Sequence, residues 1–174
     1  MILSKKYIHV TKKFSEYKGY LAEVYMIQIL WNAQRQTLPG KFFNVSSDIT
    51  VPDRFFYINQ RSRLKSGDGM EIEILAAGAV EIWLAESKWQ NKKVGVGVIR
   101  NMLKQKEIVE AQEAEPLDKV QLWLFAYNGV SRQAMALIKK HQVLLSTKND
   151  LNQLLMYMKL RELPDFAVEN GGVS

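Results

Sequence analysis

A chain of 174 residues with 47% hydrophobic content can bury one sizeable core and is short for two, so a single domain over residues 1–174 is expected. The absence of cysteine excludes disulfides, thiolate zinc sites and cysteine nucleophiles together and fits a reducing cytoplasm, while two distant histidines, His9 and His141, leave any metal to carboxylates. Lys and Arg number 24 against 18 Asp and Glu, a formal charge of +6 that suits an anionic partner.

The opening MILSKKYIHVTKK places charges where a signal peptide has its apolar core, and no apolar run approaches the ~20 residues of a membrane span. A soluble, cytoplasmic protein is expected. From Ser15 to about Gln34, Tyr20, Val24, Ile27 and Trp31 recur at spacings of four, three and four, which predicts a helix capped by Ser15 with those residues facing inward. After LPG, the segments KFFNVSSDITV and RFFYINQRSRL are rich in β-formers and read as strands or a hairpin. The turn KSGDG leads into MEIEILAAG, a second strand, and VEIWLAESKW is a third. This third strand is apolar on both faces before its charged end, so it is expected to be central and covered on both sides. NKKVGVGVIRNMLKQKEIVEAQEAE is a loop feeding a long helix, KVQLWLFAY a buried strand, and SRQAMALIKKH a helix with Ser131 as N-cap. QVLLST and NDLNQLLMYMKLREL supply a last strand and helix. Strands alternating with helices after an initial meander predict an α/β domain around one mixed sheet.

Acidic side chains occupy positions where the local pattern is apolar. Glu23 lies on the inner edge of the first helix, Glu71 and Glu73 share one face of the second strand, and Glu86 shares one face of the third with Lys88. Adjacent strands of a hairpin bring such faces within ~5 Å. Carboxylates gathered there with a single lysine repel one another unless a cation joins them, and hard oxygen ligands select Mg²⁺ or Mn²⁺. The same spacing also admits a strand-end ion pair of Glu86 with Lys88, and a boundary glutamate at Glu23.

The succession of an acid on a helix (GYLAE), an acid on a strand (GMEIEIL) and an E-x-K ending the next strand (AESKW) resembles the PD-(D/E)xK phosphodiesterase superfamily. More narrowly, GDGMEIEILAAG, VEIWLAESKW and KKVGVGVIRNML look like the Mrr-type restriction nucleases and the archaeal nuclease domains appended to ATPases, and SRQAMALIKKHQVLLSTKNDLNQLL looks like their closing helix, strand and helix. The likeness spans about residues 15–158, and a flexible tail is expected over about 164–174. It implies a restriction-endonuclease-like αβββαβ core with a central mixed sheet flanked by helices, and Mg²⁺- or Mn²⁺-dependent hydrolysis of phosphodiesters, of DNA in particular. Carried over by position, it makes Glu73 and Glu86 the metal-binding acids, Lys88 the catalytic lysine and Glu23 the accessory helix acid. One departure is Glu73 itself, where the family usually has Asp; Glu71 is its rival, and Asp68 a weaker one. The resemblance also implies an ATPase partner, and double-strand cutting would want two active sites and hence a homodimer.

Between Ser87 and Lys106 stand six basic residues (Lys88, Lys92, Lys93, Arg100, Lys104, Lys106) and no acid; between Glu107 and Asp118 stand five acids and no base. The helix macrodipole favours the opposite order, so Lys92, Lys93, Arg100 and Lys104 are better explained by a phosphate backbone crossing the E-x-K strand than by helix stability. Arg61, Arg63 and Lys65, with Arg54, form a second basic set beside Phe55, Phe56 and Tyr57, aromatics assigned to the core. The glycines of VGVGV lack the Lys-Ser/Thr end of a phosphate loop. From another class, the same features fit a nuclease-fold module that binds nucleic acid or a protein without cleaving.

Overall fold

The computed structural model describes residues 2–64 and 69–166, with side chains from residue 10 onward. Lys65, Asp68 and residues 167–174 of the expected tail lie outside the described residues. Helix α1 runs Ile2–Ala33. No Pro or Gly interrupts residues 2 to 15, so Ser15 sits inside the helix and does not cap it. The buried face also differs from the expected one. Ala22, Glu23, Tyr25, Met26, Ile29, Leu30 and Ala33 are buried, whereas Tyr20 and Trp31 are 50% and 44% exposed. This stretch is apolar almost all round, so periodicity alone does not choose the stripe. The face with small residues, Ala22 and Ala33, is the one that lies on the sheet.

The segment read as KFFNVSSDITV is mostly not strand. Short strands β1 (Thr37–Leu38) and β2 (Ile49–Thr50) pair antiparallel around a 3₁₀ turn at Gly40–Phe43, which sends Phe42 and Phe43 into the core. Gly40 has no room for a side chain: a Cβ there would lie 2.2 Å from the Ser47 carbonyl oxygen. The main sheet has five strands: β3 (Tyr57–Arg63), β4 (Glu71–Ala77), β5 (Glu81–Lys88), β6 (Lys119–Ala126) and β7 (Leu144–Ser146), in that spatial order. β3, β4 and β5 are antiparallel neighbours; β5, β6 and β7 are parallel. The sheet is therefore mixed and β5 is central, as its two apolar faces predict.

Helices cover both faces. α1 and α4 (Lys148–Tyr157) pack on Ile74, Ala76, Trp83, Ala85, Trp123 and Phe125. On the other face, α2 (Val96–Gln112) and α3 (Arg132–His141) pack on Ile82, Leu84, Val120, Leu122 and Leu124. The order α1, β3, β4, β5, α2, β6 is the expected αβββαβ core, and the fold is α/β. Ser131 caps α3 by accepting from the Ala134 amide, as its position predicts, and Thr147 with Asp150 forms a capping box on α4. The chain after α4 returns across α1: the Tyr25 hydroxyl donates to the Glu162 carbonyl at 3.1 Å, and Phe166 packs on Phe14, Tyr17 and Trp89. Among the described residues no helix is long and apolar enough to cross a membrane.

Candidate active site

The antiparallel ladder between β4 and β5 runs from Ala77–Ile82 to Ile74–Ala85 and stops there. β5 continues to Lys88, held on its other side by parallel pairing with β6 as far as Lys88–Ala126. The last three residues of β5 thus have a neighbour on one flank and an opening on the other. Into this opening β4 sends Glu73. Its Oε2 accepts from the Ser87 amide at 2.7 Å, satisfying a donor that the interrupted ladder leaves over. On α2, buried Gln105 donates to the Glu71 carbonyl at 2.9 Å and satisfies another group of the diverging strand.

Glu73, Glu86 and Lys88 meet at this opening. Lys88 Nζ lies 3.2 Å from Glu73 Oε1 and also donates to Glu86 Oε1. Alternation along β5 puts Glu86 and Lys88 together on the α2 face with Ile82 and Leu84, while Ser87 turns to α1 and its hydroxyl contacts the Gly19 carbonyl at 3.4 Å. Lys88 is fixed from behind. The Tyr127 amide donates to its carbonyl at 3.0 Å, and the next residue, Trp89, is buried, stacks on Tyr127 at 5.2 Å and meets Phe125 edge-on. Glu71, the rival of Glu73, is exposed and turns to Arg63 at 3.9 Å.

Burial pushes the Glu86 carboxyl up to about 7; repulsion from Glu73 adds to this, and Lys88 opposes it. For Lys88 burial works downward, but the carboxylates of Glu86 and then Glu73 outweigh it and hold the ammonium above its ordinary value. Lys88 is accordingly charged at neutral pH, and the buried Glu86 carboxyl takes up a proton more readily than an ordinary carboxylate.

Glu23 is buried on α1 at 2% exposure, and both its oxygens are engaged. Gln60 Nε2 donates to one and Arg61 Nη2, at 3.1 Å, to the other. Burial raises the Glu23 carboxyl, with Glu73 adding to the rise and Gln60 and Arg61 counteracting it. Glu23 is near enough to Glu73 to feel its charge, yet its hydrogen bonds belong to β3. Gln60, Gln105 and the Tyr127 amide are contributors that sequence reasoning missed. Gln105 had a signal, a polar residue at the core spacing of Ile99, Met102 and Val109.

Among the described residues no group of three or more His, Cys, Asp or Glu is arranged to hold a metal ion. Two carboxylates, Glu73 and Glu86, converge. That donor set fits Mg²⁺, which takes one or two carboxylates and completes its shell with water and phosphate oxygens. Neither of two cavities, of about 510 and 570 Å³, is lined by Glu73, Glu86 or Lys88. Lys92 and Lys93 are exposed on the loop directly after β5, and Arg100 and Lys104 on the outer side of α2. Lys106 instead pairs with Glu110 at 3.7 Å. The second basic set divides. Arg61 and Arg63 lie at the Glu73 end of β3, whereas Arg54 sits over Phe56 beyond its other end. Of the three aromatics there only Phe55 is core; Phe56 and Tyr57 are 59% and 46% exposed.

No protein-family model and no curated protein matches the chain. Among solved structures it is similar to AF1548, a protein of unknown function, at TM-score 0.45 and 16% identity over 56% of this chain and 56% of that one. It is similar to a repair endonuclease from Pyrococcus abyssi at TM-score 0.40 and 15% identity, over 55% of this chain and 38% of that one. It is also similar to EndoMS in a complex with dsDNA at TM-score 0.41 and 17% identity, over 63% and 38%. In each case the chain covers less than two thirds of the other protein's length.

Proposed function

We propose that the chain is a metal-dependent nuclease of the PD-(D/E)xK type that hydrolyses phosphodiester bonds of DNA. The observation that carries this reading is the meeting of Glu73, Glu86 and Lys88 where the β4–β5 ladder ends. Two acids and one lysine from two strands are drawn together in a sheet opening, with the β5 backbone fixed by β6 and Trp89. Glu73 and Glu86 would hold Mg²⁺ or Mn²⁺. Such an ion, when bound, polarises the phosphate and lowers the pKa of a bound water. Lys88, charged and held beside both acids, donates hydrogen bonds to the oxygens on which negative charge develops. Being protonated, it serves as a cation and not as a general base. Glu73 stands in place of the Asp usual in the family, and the structure supplies the distance that its extra methylene spans. It crosses from a diverging β4 to the Ser87 amide and Lys88.

Lys92, Lys93, Arg100 and Lys104, with Arg61 and Arg63, are the proposed contacts to the phosphate backbone. One observation favours the second reading, a binding module without cleavage: both acids already have Lys88 as their counter-charge. Supercoiled plasmid separates the two readings. The nuclease nicks it with Mg²⁺ or Mn²⁺ and stops with chelator. A protein that retards plasmid yet never nicks it with either ion is the module.

A further inference from the structure

Five non-glycine residues among those described have positive φ; Arg35, Asn44, Gln142 and Lys159 lie at turns or helix ends, but Arg61 (φ 55) lies inside strand β3. L residues adopt this conformation at an energetic cost, and such strain gathers at functional sites. It also breaks the ladder locally: Gln60 pairs with Ile74 and Ser62 with Ile72, while the rung that would join Arg61 to Glu73 is missing. The distortion turns two consecutive side chains, Gln60 and Arg61, onto the same carboxylate. In a regular strand they would face opposite sides of the sheet. Glu23 receives one of them on each oxygen from the buried face of α1. Arg61 nonetheless keeps 52% of its side chain in solvent. Its fork has five donors, and the bond to Glu23 uses one.

We infer that Glu23, Gln60 and Arg61 form a phosphate clamp beside the Glu73–Glu86–Lys88 opening. Arg61 binds a backbone phosphate of the DNA strand, and Glu23 is its positioning residue and not a metal ligand. This rests on the nuclease reading and reassigns one of its acids. Both oxygens of Glu23 are turned to the side chains of β3 and away from the Glu73–Glu86–Lys88 opening, and a half-exposed guanidinium whose angle is fixed from behind matches the planar, bidentate recognition of phosphate. An exposed arginine needs neither a strained backbone nor a buried partner for solubility. A clamp needs both, because its direction is what matters.

The test uses the whole chain and two binding readouts: a salt titration of duplex DNA affinity in Ca²⁺, and Mn²⁺ binding by the DNA-free protein. Arg61→Gln should lower the magnitude of the slope of log affinity against log salt by about 0.9, the value for one phosphate contact. Arg61→Lys should restore the slope but not the affinity, since an ammonium is not bidentate. Glu23→Gln should weaken duplex binding by roughly three- to tenfold, as expected of a lost support, and leave Mn²⁺ affinity undiminished. Loss of Mn²⁺ binding in Glu23→Gln makes it a ligand and overturns the clamp. So does an unchanged salt slope in Arg61→Gln, a variant that leaves Glu23 bonded to Gln60 and so decides the matter even where Glu23→Gln fails to fold. Wild-type protein that binds no duplex overturns the nuclease reading and the clamp with it. Wild type that binds, with Arg61→Gln parallel to it, overturns the clamp alone.

Discussion

The Glu86 carboxyl is strained by its burial. Burial and Glu73 hold it at about 7 against an ordinary 4.5, so folding takes up a proton between those values. Its contribution to stability is full below about pH 4.5 and is lost as pH rises through 7. At 1.36 kcal/mol per pH unit the span is worth at most about 3 to 4 kcal/mol. Urea unfolding of the metal-free protein should show wild type losing up to that much relative to Glu86→Gln between pH 4.5 and 8; parallel pH profiles would mean that the carboxylate is not strained. For Glu73 the expectation concerns reach. Glu73→Asp withdraws the carboxylate by about one bond, ~1.5 Å, and should cost the Ser87 bond and about tenfold or more in Mn²⁺ affinity by calorimetry, on the scale of lost ligand support. Equal affinity would show that the opening closes to suit the shorter acid. The E-x-K pair was legible in sequence because Glu86 and Lys88 interrupt an otherwise apolar strand with period-two alignment. The partnership of Glu23 with Arg61 was not, because it joins residues 38 apart through a backbone distortion that no residue pattern announces.

The elements that matter most are β5 and the loop after it. Trp89 anchors that junction from the core, so Trp89→Ala should cost about 3–5 kcal/mol in urea unfolding, the range for a buried aromatic. A loss under 1 kcal/mol would mean that Tyr127 and Phe125 close the gap unaided. Beyond Trp89 the loop is tied down by the Val94–Val130 bridge and by the Ser131 amide bonded to the Val94 carbonyl, which sets Lys92 and Lys93 on a fixed base. Replacing Lys92, Lys93 and Arg100 together by Gln should reduce the salt slope of duplex binding by roughly 2 to 3 if each meets one phosphate, and by a similar amount for unrelated sequences. Equal slopes would assign this surface to ordinary solvation. At this scale the strands with clear alternation or continuous apolar runs were legible, as were the Ser131 cap and the central place of β5. The buried face of α1 was not. Tyr20, Val24, Ile27 and Trp31 keep helical spacing as well as Met26, Ile29 and Ala33 do, and only the sheet decides between them. Likewise Phe42 and Phe43 have β-forming side chains, but the tight approach of Gly40 to Ser47 makes a 3₁₀ turn instead.

In the whole molecule, a mixed sheet lies between two helical layers, and change of strand direction makes the opening. β5 is antiparallel to β4 and parallel to β6, so one flank can part while the other remains paired. The sheet is packed on both sides: Trp83 and Trp123 meet edge to face at 6.4 Å in the core on the α1 side, and helices bury both faces. The central claim is that Glu73, Glu86 and Lys88 act as one cleaving unit, with affinity carried separately by the basic surface. The most direct measurement compares wild type and Lys88→Ala for Mg²⁺-dependent plasmid nicking and, on the same preparations in Ca²⁺, for duplex affinity. Nicking should fall by about 10²-fold or more, the scale for removing a donor that stabilises transition-state charge, while affinity changes less than threefold, one contact among many. Nicking by Lys88→Ala at the wild-type rate, in chelator-sensitive form and free of contaminating nuclease, would contradict it.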